Sequence, residues 1–140
     1  MQTFLPYSDF AKTASVLDYR RLGKQRVEAK QILMANLGMT AAWSNHPASK
    51  MWKFHSLSLA LYGVYICTEW IRRGYKDNQL DWFNNILKNK NINSSTELPP
   101  WLGDEQFHKS HRSNLLRKNF NYYSQYGWTE PIDLPYKWPV

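Results

Sequence analysis

The sequence predicts an all-α fold, and three observations lead to that prediction. Apolar residues recur at helical spacing in several segments of the chain. Residues that cap or stop helices bracket those segments. The length of 140 residues suits one domain that buries a hydrophobic core without disulfides. We therefore expect a single compact helical domain over residues 1–140, with an irregular N-terminal segment and a C-terminal tail rich in Pro and Trp.

Cap and stop residues set the bounds of the predicted helices. Asp18 and Asp77 are candidate N-caps, and Gly38 and Gly74 are natural stops. In chain order, the predicted helices run from Ser8 or Asp9 to Leu17, from Tyr19 to about Leu37, from about Ala48 to Arg73, from Asp77 to about Lys88, and, as two short pieces, from Asp104 to His108 and from Ser110 to Arg117.

The charge balance predicts a polyanionic partner. The net charge is +7 and the pI is about 9.5, which favours nucleic acid as the partner. The single cysteine, Cys67, excludes an intramolecular disulfide, and we expect it to be a small core residue. The sequence shows no signal peptide and no apolar run long enough to cross a bilayer. We therefore expect a cytoplasmic protein that does not enter membranes.

The second predicted helix carries the densest group of cations. Four of them lie within residues 20–26, and the acids Asp18 and Glu28 stand at the two ends of the segment. Such a face suits contacts with phosphate, sugar and base edges, although a solvated helix face has similar residues. Gly23 costs about 1 kcal/mol inside a helix, which indicates close approach of another backbone or of a ligand.

Two further segments carry polar residues that suit a site. In Asn45-His46-Pro47, His46 either caps the following helix or points into a site beside the basic helix. The segment from Asp104 to Lys118 combines hydroxyl, His and Arg side chains, which suits phosphate binding near a helix start. A metal site made by Asp104, His108 and His111 and a structural hydrogen-bonded cluster are the alternatives there.

Two segments of the chain resemble the pyrimidine-dimer DNA glycosylases of the phage endonuclease V type. Residues 11–33, centred on Asp18-Tyr19-Arg20, are similar to the acidic-Tyr-Arg segment that opens the family's first long helix. Residues 51–77, with Arg72-Arg73-Gly74-Tyr75 near their end, are similar to its central helix. Asn45-His46-Pro47 is similar to an element of the bacterial relatives.

The resemblance implies combined base excision and strand cleavage. In that family an N-terminal α-amine attacks C1′ of the deoxyribose and forms an imine, and a carboxylate assists. Met1 would then supply the amine. The family's glutamate aligns with Arg21, so Glu28, two turns further along the same face, is the expected substitute, and Asp18 is the other option.

We therefore predict a DNA N-glycosylase with AP-lyase activity that acts on a damaged or modified base, needs no cofactor and flips a nucleotide out of duplex DNA. Met1 and Glu28 are the predicted catalytic residues. The predicted nucleic-acid-binding residues are Gln2, Arg20, Arg21, Lys24, Gln25, Arg26, Asn45, His46, His108, His111, Arg112, Ser113, Arg117 and Lys118.

Two other functions fit the same residues. A non-catalytic nucleic-acid-binding relative would explain Arg21, because a cation there strengthens phosphate binding. An enzyme that acts on nucleotides through His46, His108 and His111, with or without a metal ion, is the third hypothesis.

Overall fold

The computed structural model describes all 140 residues and contains only helices, turns and irregular segments, which confirms the predicted all-α fold. None of the helices combines the length and the apolar character that crossing a membrane requires. The elements are α1 (Phe10–Val16), α2 (Tyr19–Asn36), α3 (Pro47–Met51), α4 (Ser56–Arg72), α5 (Leu80–Lys88), α6 (Glu105–Lys118), α7 (Phe120–Tyr123) and a 3-10 helix (Ser124–Tyr126).

Helix α4 lies at the centre of the fold, with α1, α2 and α5 packed around it. The stripe of α2 that faces α4 is fully buried, and Cys67 of α4 is buried as predicted. Gly23 of α2 permits a close approach, because an added Cβ would lie 2.9 Å from the ring of Trp70 on α4. The buried residues of the α2 stripe are Leu22, Ala29, Ile32 and Leu33.

The long helix predicted over residues 48–73 is wrong, because the chain breaks between α3 and α4. Trp52 and its neighbours turn instead, and Phe54 takes a positive φ of 66°. The break places Trp52 in the core, where its indole N–H donates to the hydroxyl of Thr3 at 2.9 Å. The carbonyl of Phe54 accepts from Ser95 N at 2.8 Å, so this turn also anchors the loop after α5.

The two short helices predicted over residues 104–117 are one continuous helix, α6. Between His108 and Asn114 every polar residue except Lys109 is buried, and each buried one forms a hydrogen bond, so these residues do not interrupt the helix. Asp104 caps the helix through a bond from Gln106 N at 3.1 Å. Tertiary contacts thus override the local preference of Ser and His for turns and caps.

The C-terminal tail, which is rich in Pro and Trp, has no helix after Tyr126 and runs along α6. Ser113 of α6 accepts a hydrogen bond from Leu134 N at 3.0 Å, and Ser110 accepts one from Lys137 N at 3.1 Å. Asn114 donates to the carbonyl of Leu134 at 3.0 Å. These bonds lay the tail along α6 and bring its aromatic residues toward the N-terminal segment.

Candidate active site

A cleft of about 460 Å³ opens where the N-terminal segment, α2, the end of α6 and the C-terminal tail meet. Both predicted catalytic residues and several of the predicted DNA-binding residues line this cleft. The lining residues are Met1, Gln2, Phe4, Arg20, Arg21, Lys24, Gln25, Glu28, Lys118 and Tyr136.

The carboxylate of Glu28 lies next to the start of the chain. Its Oε2 atom accepts a hydrogen bond from the backbone N–H of Gln2 at 3.2 Å. That N–H belongs to the peptide bond formed by Met1, so the α-amine and the carboxylate are neighbours in the cleft. The Glu28 side chain is largely shielded from solvent, and its closest cationic partner is Lys24 at 4.0 Å.

Gln25 fixes the N-terminal segment against α2. Its amide nitrogen donates to the carbonyl of Gln2 at 2.8 Å and to Glu28 at 3.4 Å. Its amide oxygen accepts from Phe4 N at 3.1 Å and from the hydroxyl of Tyr62 at 2.8 Å. Every hydrogen-bonding position of this buried amide is therefore used inside the protein. Gln25 supports the cleft and is not free for the DNA contact that was predicted.

Four cationic side chains surround the amine and the carboxylate. Arg20, Arg21 and Lys24 project from α2, and Lys118 comes from the end of α6. Burial and the positive charges of Arg21, Arg117 and Lys24 lower the pKa of Lys118. Cations that crowd together in this way, with one carboxylate among them, form a site for a polyanion. Arg21 pairs with Asp18 at 3.3 Å and Lys24 with Glu28 at 4.0 Å, whereas Arg20 and Lys118 have no carboxylate partner.

His46 lies beside the cleft as well as capping a helix. Its Nδ1 atom accepts from Ala48 N at 3.0 Å at the start of α3. Partial burial and the positive charge of the α-amine lower the pKa of His46, whereas Glu28 acts in the opposite direction. The cap leaves the Nε2–H of the neutral ring without a protein partner, so it can donate to a ligand. Asn45, the residue before it, is exposed.

His108 and His111 are buried in the core and hold the backbone of Leu5. His108 Nδ1 donates to the Leu5 carbonyl at 2.8 Å, and its Nε2 accepts from Gly103 N at 2.9 Å. His111 Nδ1 accepts from Leu5 N at 2.9 Å. Burial lowers the pKa of His111 to about 3. Both rings are therefore neutral and hydrogen-bonded to backbone atoms. They lie in the core and not on the surface, where the prediction of DNA contacts had placed them.

The metal site that was considered as an alternative is not assembled. Asp104 forms an ion pair with Lys137 at 2.5 Å, while the nitrogens of His108 face backbone atoms. No three carboxylate, His or Cys side chains converge in a geometry that could hold a metal ion. This arrangement also removes the basis of the hypothesis of a histidine-dependent enzyme, because two of its three histidines hold the backbone.

Four other predicted DNA-binding residues join parts of the protein together. Arg112 is buried between Glu105 and Glu130, at 2.5 Å from each, and donates to the Pro6 carbonyl at 2.6 Å. Ser113 holds the C-terminal tail, and Arg117 donates to the Ile132 carbonyl at 3.0 Å. Arg26 pairs with Asp77 at 2.6 Å and lines no part of the cleft.

Tyr136 and Trp138 were not among the predicted site residues. Tyr136 lines the cleft, and the ring of Trp138 lies 5.7 Å from it. The aromatic residues in the Pro-rich tail were the only available signal in the sequence. The cleft residues of the N-terminal segment and α2 and the His46 ring beside Trp138 are more than 90 positions away along the chain, so local spacing could not place these two residues.

The comparisons with known proteins agree with the resemblance seen in the sequence. A model of the pyrimidine dimer DNA glycosylase family matches residues 1–83, a range that contains Met1, Glu28 and His46. No curated protein and no solved structure matches the chain. The family match covers more than half of the 140 residues, and the chain therefore belongs to the pyrimidine dimer DNA glycosylase family.

Proposed function

We propose that this protein removes a damaged or modified base from duplex DNA and then cleaves the strand by an AP-lyase step. The α-amine of Met1 is the proposed nucleophile and Glu28 the proposed acid. The observation that carries the proposal is the 3.2 Å hydrogen bond from Gln2 N to Glu28, because it holds a carboxylate beside the amine inside a cationic cleft. Family membership implies glycosylase activity and a DNA substrate.

The chemistry needs both groups. The free amine attacks C1′, the N–C1′ bond forms, and the base leaves with the electron pair of the glycosidic bond and takes up a proton. Opening of the sugar ring gives an iminium ion, whose charge the carboxylate stabilises. Removal of a C2′ proton then expels the 3′ phosphate by β-elimination. Water finally hydrolyses the imine and restores the amine.

The other residues of the cleft suit substrate binding. Arg20, Arg21, Lys24 and Lys118 provide charge for phosphates on either side of the target nucleotide. The Nε2 atom of Gln2 is buried and has no hydrogen-bond partner in the protein. An unpaired donor of this kind is costly unless a ligand uses it, so we propose that it donates to an oxygen of the base or sugar.

Borohydride trapping on duplex DNA with an abasic site tests the chemistry. The untagged protein should give a covalent adduct that maps to Met1, and a tag added before Met1 should abolish it. Glu28→Gln keeps an acceptor for Gln2 N but removes the charge, and it should lower the rate of base release by about 100-fold or more. Full activity of a protein blocked at its N-terminus would refute the amine mechanism.

A non-catalytic DNA-binding relative is the second candidate, and the position of Arg21 favours it. Arg21 lines the cleft at the position where the resemblance expects the catalytic glutamate. In such a protein, Glu28→Gln would leave DNA affinity unchanged or raise it, and no adduct would form. The trapping experiment therefore separates the two functions.

A further inference from the structure

Four rings form a continuous series that leads from the cleft to the loop before α3. Tyr136 lines the cleft, and Trp138 lies 5.7 Å from it between ring centroids. The ring of His46 follows at 5.8 Å, and Trp43 at 5.9 Å. The outermost ring, Trp43, is 46 % exposed. The outer end of the series is therefore an indole that contacts the His46 ring and is open to solvent.

The backbone of Trp43 is held in an unfavourable conformation. Its φ is +67°, a region that a bulky residue rarely adopts. Backbone strain of this kind persists only where the surrounding structure imposes it, and it concentrates at functional sites. Neighbouring bonds impose it here, since His46 N donates to the Trp43 carbonyl at 3.1 Å and Ser44 N donates to the Ala41 carbonyl at 3.4 Å.

The ring series places Trp43 near the cleft. It begins at Tyr136 in the cleft wall, and each of its three ring contacts is at most 5.9 Å between centroids. His46, the ring next to Trp43, lies within electrostatic range of the α-amine and Glu28. The exposed indole therefore lies three ring contacts from the wall of the cationic cleft.

We propose that Trp43 is a stacking residue for an unpaired DNA base next to the cleft. The inference rests on the proposed function in that it takes DNA with an exposed nucleotide as the ligand. When one nucleotide leaves the duplex, a neighbouring or opposite base loses its stacking partner. An exposed indole near the cationic cleft offers that base a new partner, while the cations of the cleft hold the adjoining phosphates.

Binding to an abasic analogue tests the proposal separately from the chemistry. A tetrahydrofuran residue has no aldehyde and forms no imine, so affinity for a duplex that carries it, opposite 2-aminopurine, reports binding alone. Trp43→Asn removes the ring and suits the left-handed backbone, because Asn tolerates positive φ. We expect it to weaken binding to this duplex by about fivefold to a hundredfold, to leave binding to a fully paired duplex unchanged, and to remove the quenching of 2-aminopurine.

Phe54 offers a matched control on the same protein. It is also aromatic, exposed and held at a positive φ, 66°, but it contacts none of the four rings. Phe54→Asn should bind both duplexes like the wild type, and Trp43→Phe should keep most of the affinity. Thermal unfolding of each variant checks the fold.

The outcomes separate this proposal from the amine mechanism. Equal affinities of Trp43→Asn and the wild type for the analogue duplex, or an equal loss in Phe54→Asn, would overturn the stacking role. A loss confined to Trp43→Asn would support stacking even if borohydride trapping gave no adduct. A Met1 adduct together with unchanged binding by Trp43→Asn would leave the chemistry intact and reject this inference alone.

Discussion

His108 and His111 show how two titratable side chains can serve as fixed backbone partners. One accepts from Leu5 N and the other donates to the Leu5 carbonyl, so both polar groups of that residue are satisfied inside the core. His111 packs at 4.3 Å from the ring of Phe107. In this clamp on Leu5, the bond to His111 forms only while that ring is neutral, because a proton on His111 Nδ1 would oppose the N–H of Leu5.

The clamp makes stability depend on pH below 6.5. The folded pKa of His111 is lowered to about 3 from its ordinary value of 6.5, so the unfolded chain binds more protons between these values. The free energy of unfolding must therefore fall as the pH drops below 6.5. Each such histidine contributes about 1.4 kcal/mol per pH unit. Urea unfolding at pH 7.5 and pH 5.5 measures the loss.

Two variants test whether His111 causes this loss of stability at low pH. His111→Asn keeps an acceptor for Leu5 N without a titratable ring, and it should show a smaller difference between the two pH values. Phe107→Leu disturbs the same packing and should keep the wild-type difference at lower stability. Equal pH dependence in His111→Asn and the wild type would contradict the assignment. Carboxylates such as Glu69, whose pKa is lowered by hydrogen bonds from Arg72 and Arg73, change the free energy of unfolding only below about pH 4.5.

At the scale of elements, the contact between α4 and α5 depends on one missing side chain. A Cβ added at Gly63 would lie 2.4 Å from a carbon of the Phe83 ring, which is fully buried. The ring therefore packs directly on the backbone of α4. Glycine costs helix stability, and here it is needed for close approach of the two helices.

We expect Gly63→Ala to lower the free energy of unfolding by about 1–3 kcal/mol, because the added methyl forces a rigid ring out of a packed core. Chemical denaturation of the variant measures the change. Phe83→Leu supplies the control through a double-mutant cycle, since Gly63→Ala should cost less when the ring is absent. An additive cycle, or a stabilised Gly63→Ala protein, would show that the helices separate without strain.

At the scale of the whole molecule, the excess positive charge divides into two groups. Arg26, Arg73 and Arg112 have carboxylate partners within 2.7 Å, and Arg73 also joins the end of α4 to α1 through the carbonyl of Ala14 at 3.1 Å. Arg20 and Lys118 line the cleft and form no ion pair with a carboxylate. The net charge alone therefore overstates the number of cations that are free to contact DNA.

The salt dependence of DNA binding reports how many cations of the protein contact phosphates. Each phosphate contact contributes about −0.9 to the slope of log K against log salt concentration. Lys24→Gln should reduce the magnitude of the slope by about one contact, whereas Lys88→Ala, on the last turn of α5, should leave it unchanged. The measurement is a series of binding titrations at increasing salt concentration. An unchanged slope for Lys24→Gln would place the phosphates elsewhere.

The sequence was sufficient for the parts of the molecule that local patterns control. Asp18 and Gly38 mark the ends of α2 closely, and the proximity of Met1 to Glu28 followed from the resemblance and the helical register. The break at Trp52 was missed because neither Gly nor Pro marks it. His108 and His111 suggested a ligand site because their partners, the backbone atoms of Leu5, lie about 100 positions away, and no spacing rule reveals such a contact.

The clamp on Leu5 also has a consequence for the order of assembly. Leu5 and His111 are 106 positions apart in the chain, and contacts of such separation form late because the intervening chain must first be ordered. During synthesis, the N-terminal segment can bond to α2 early, through Gln25 and Glu28, but the histidines that hold Leu5 arrive only with α6. The segment that carries the proposed nucleophile is therefore fixed at Leu5 only when nearly the whole chain exists.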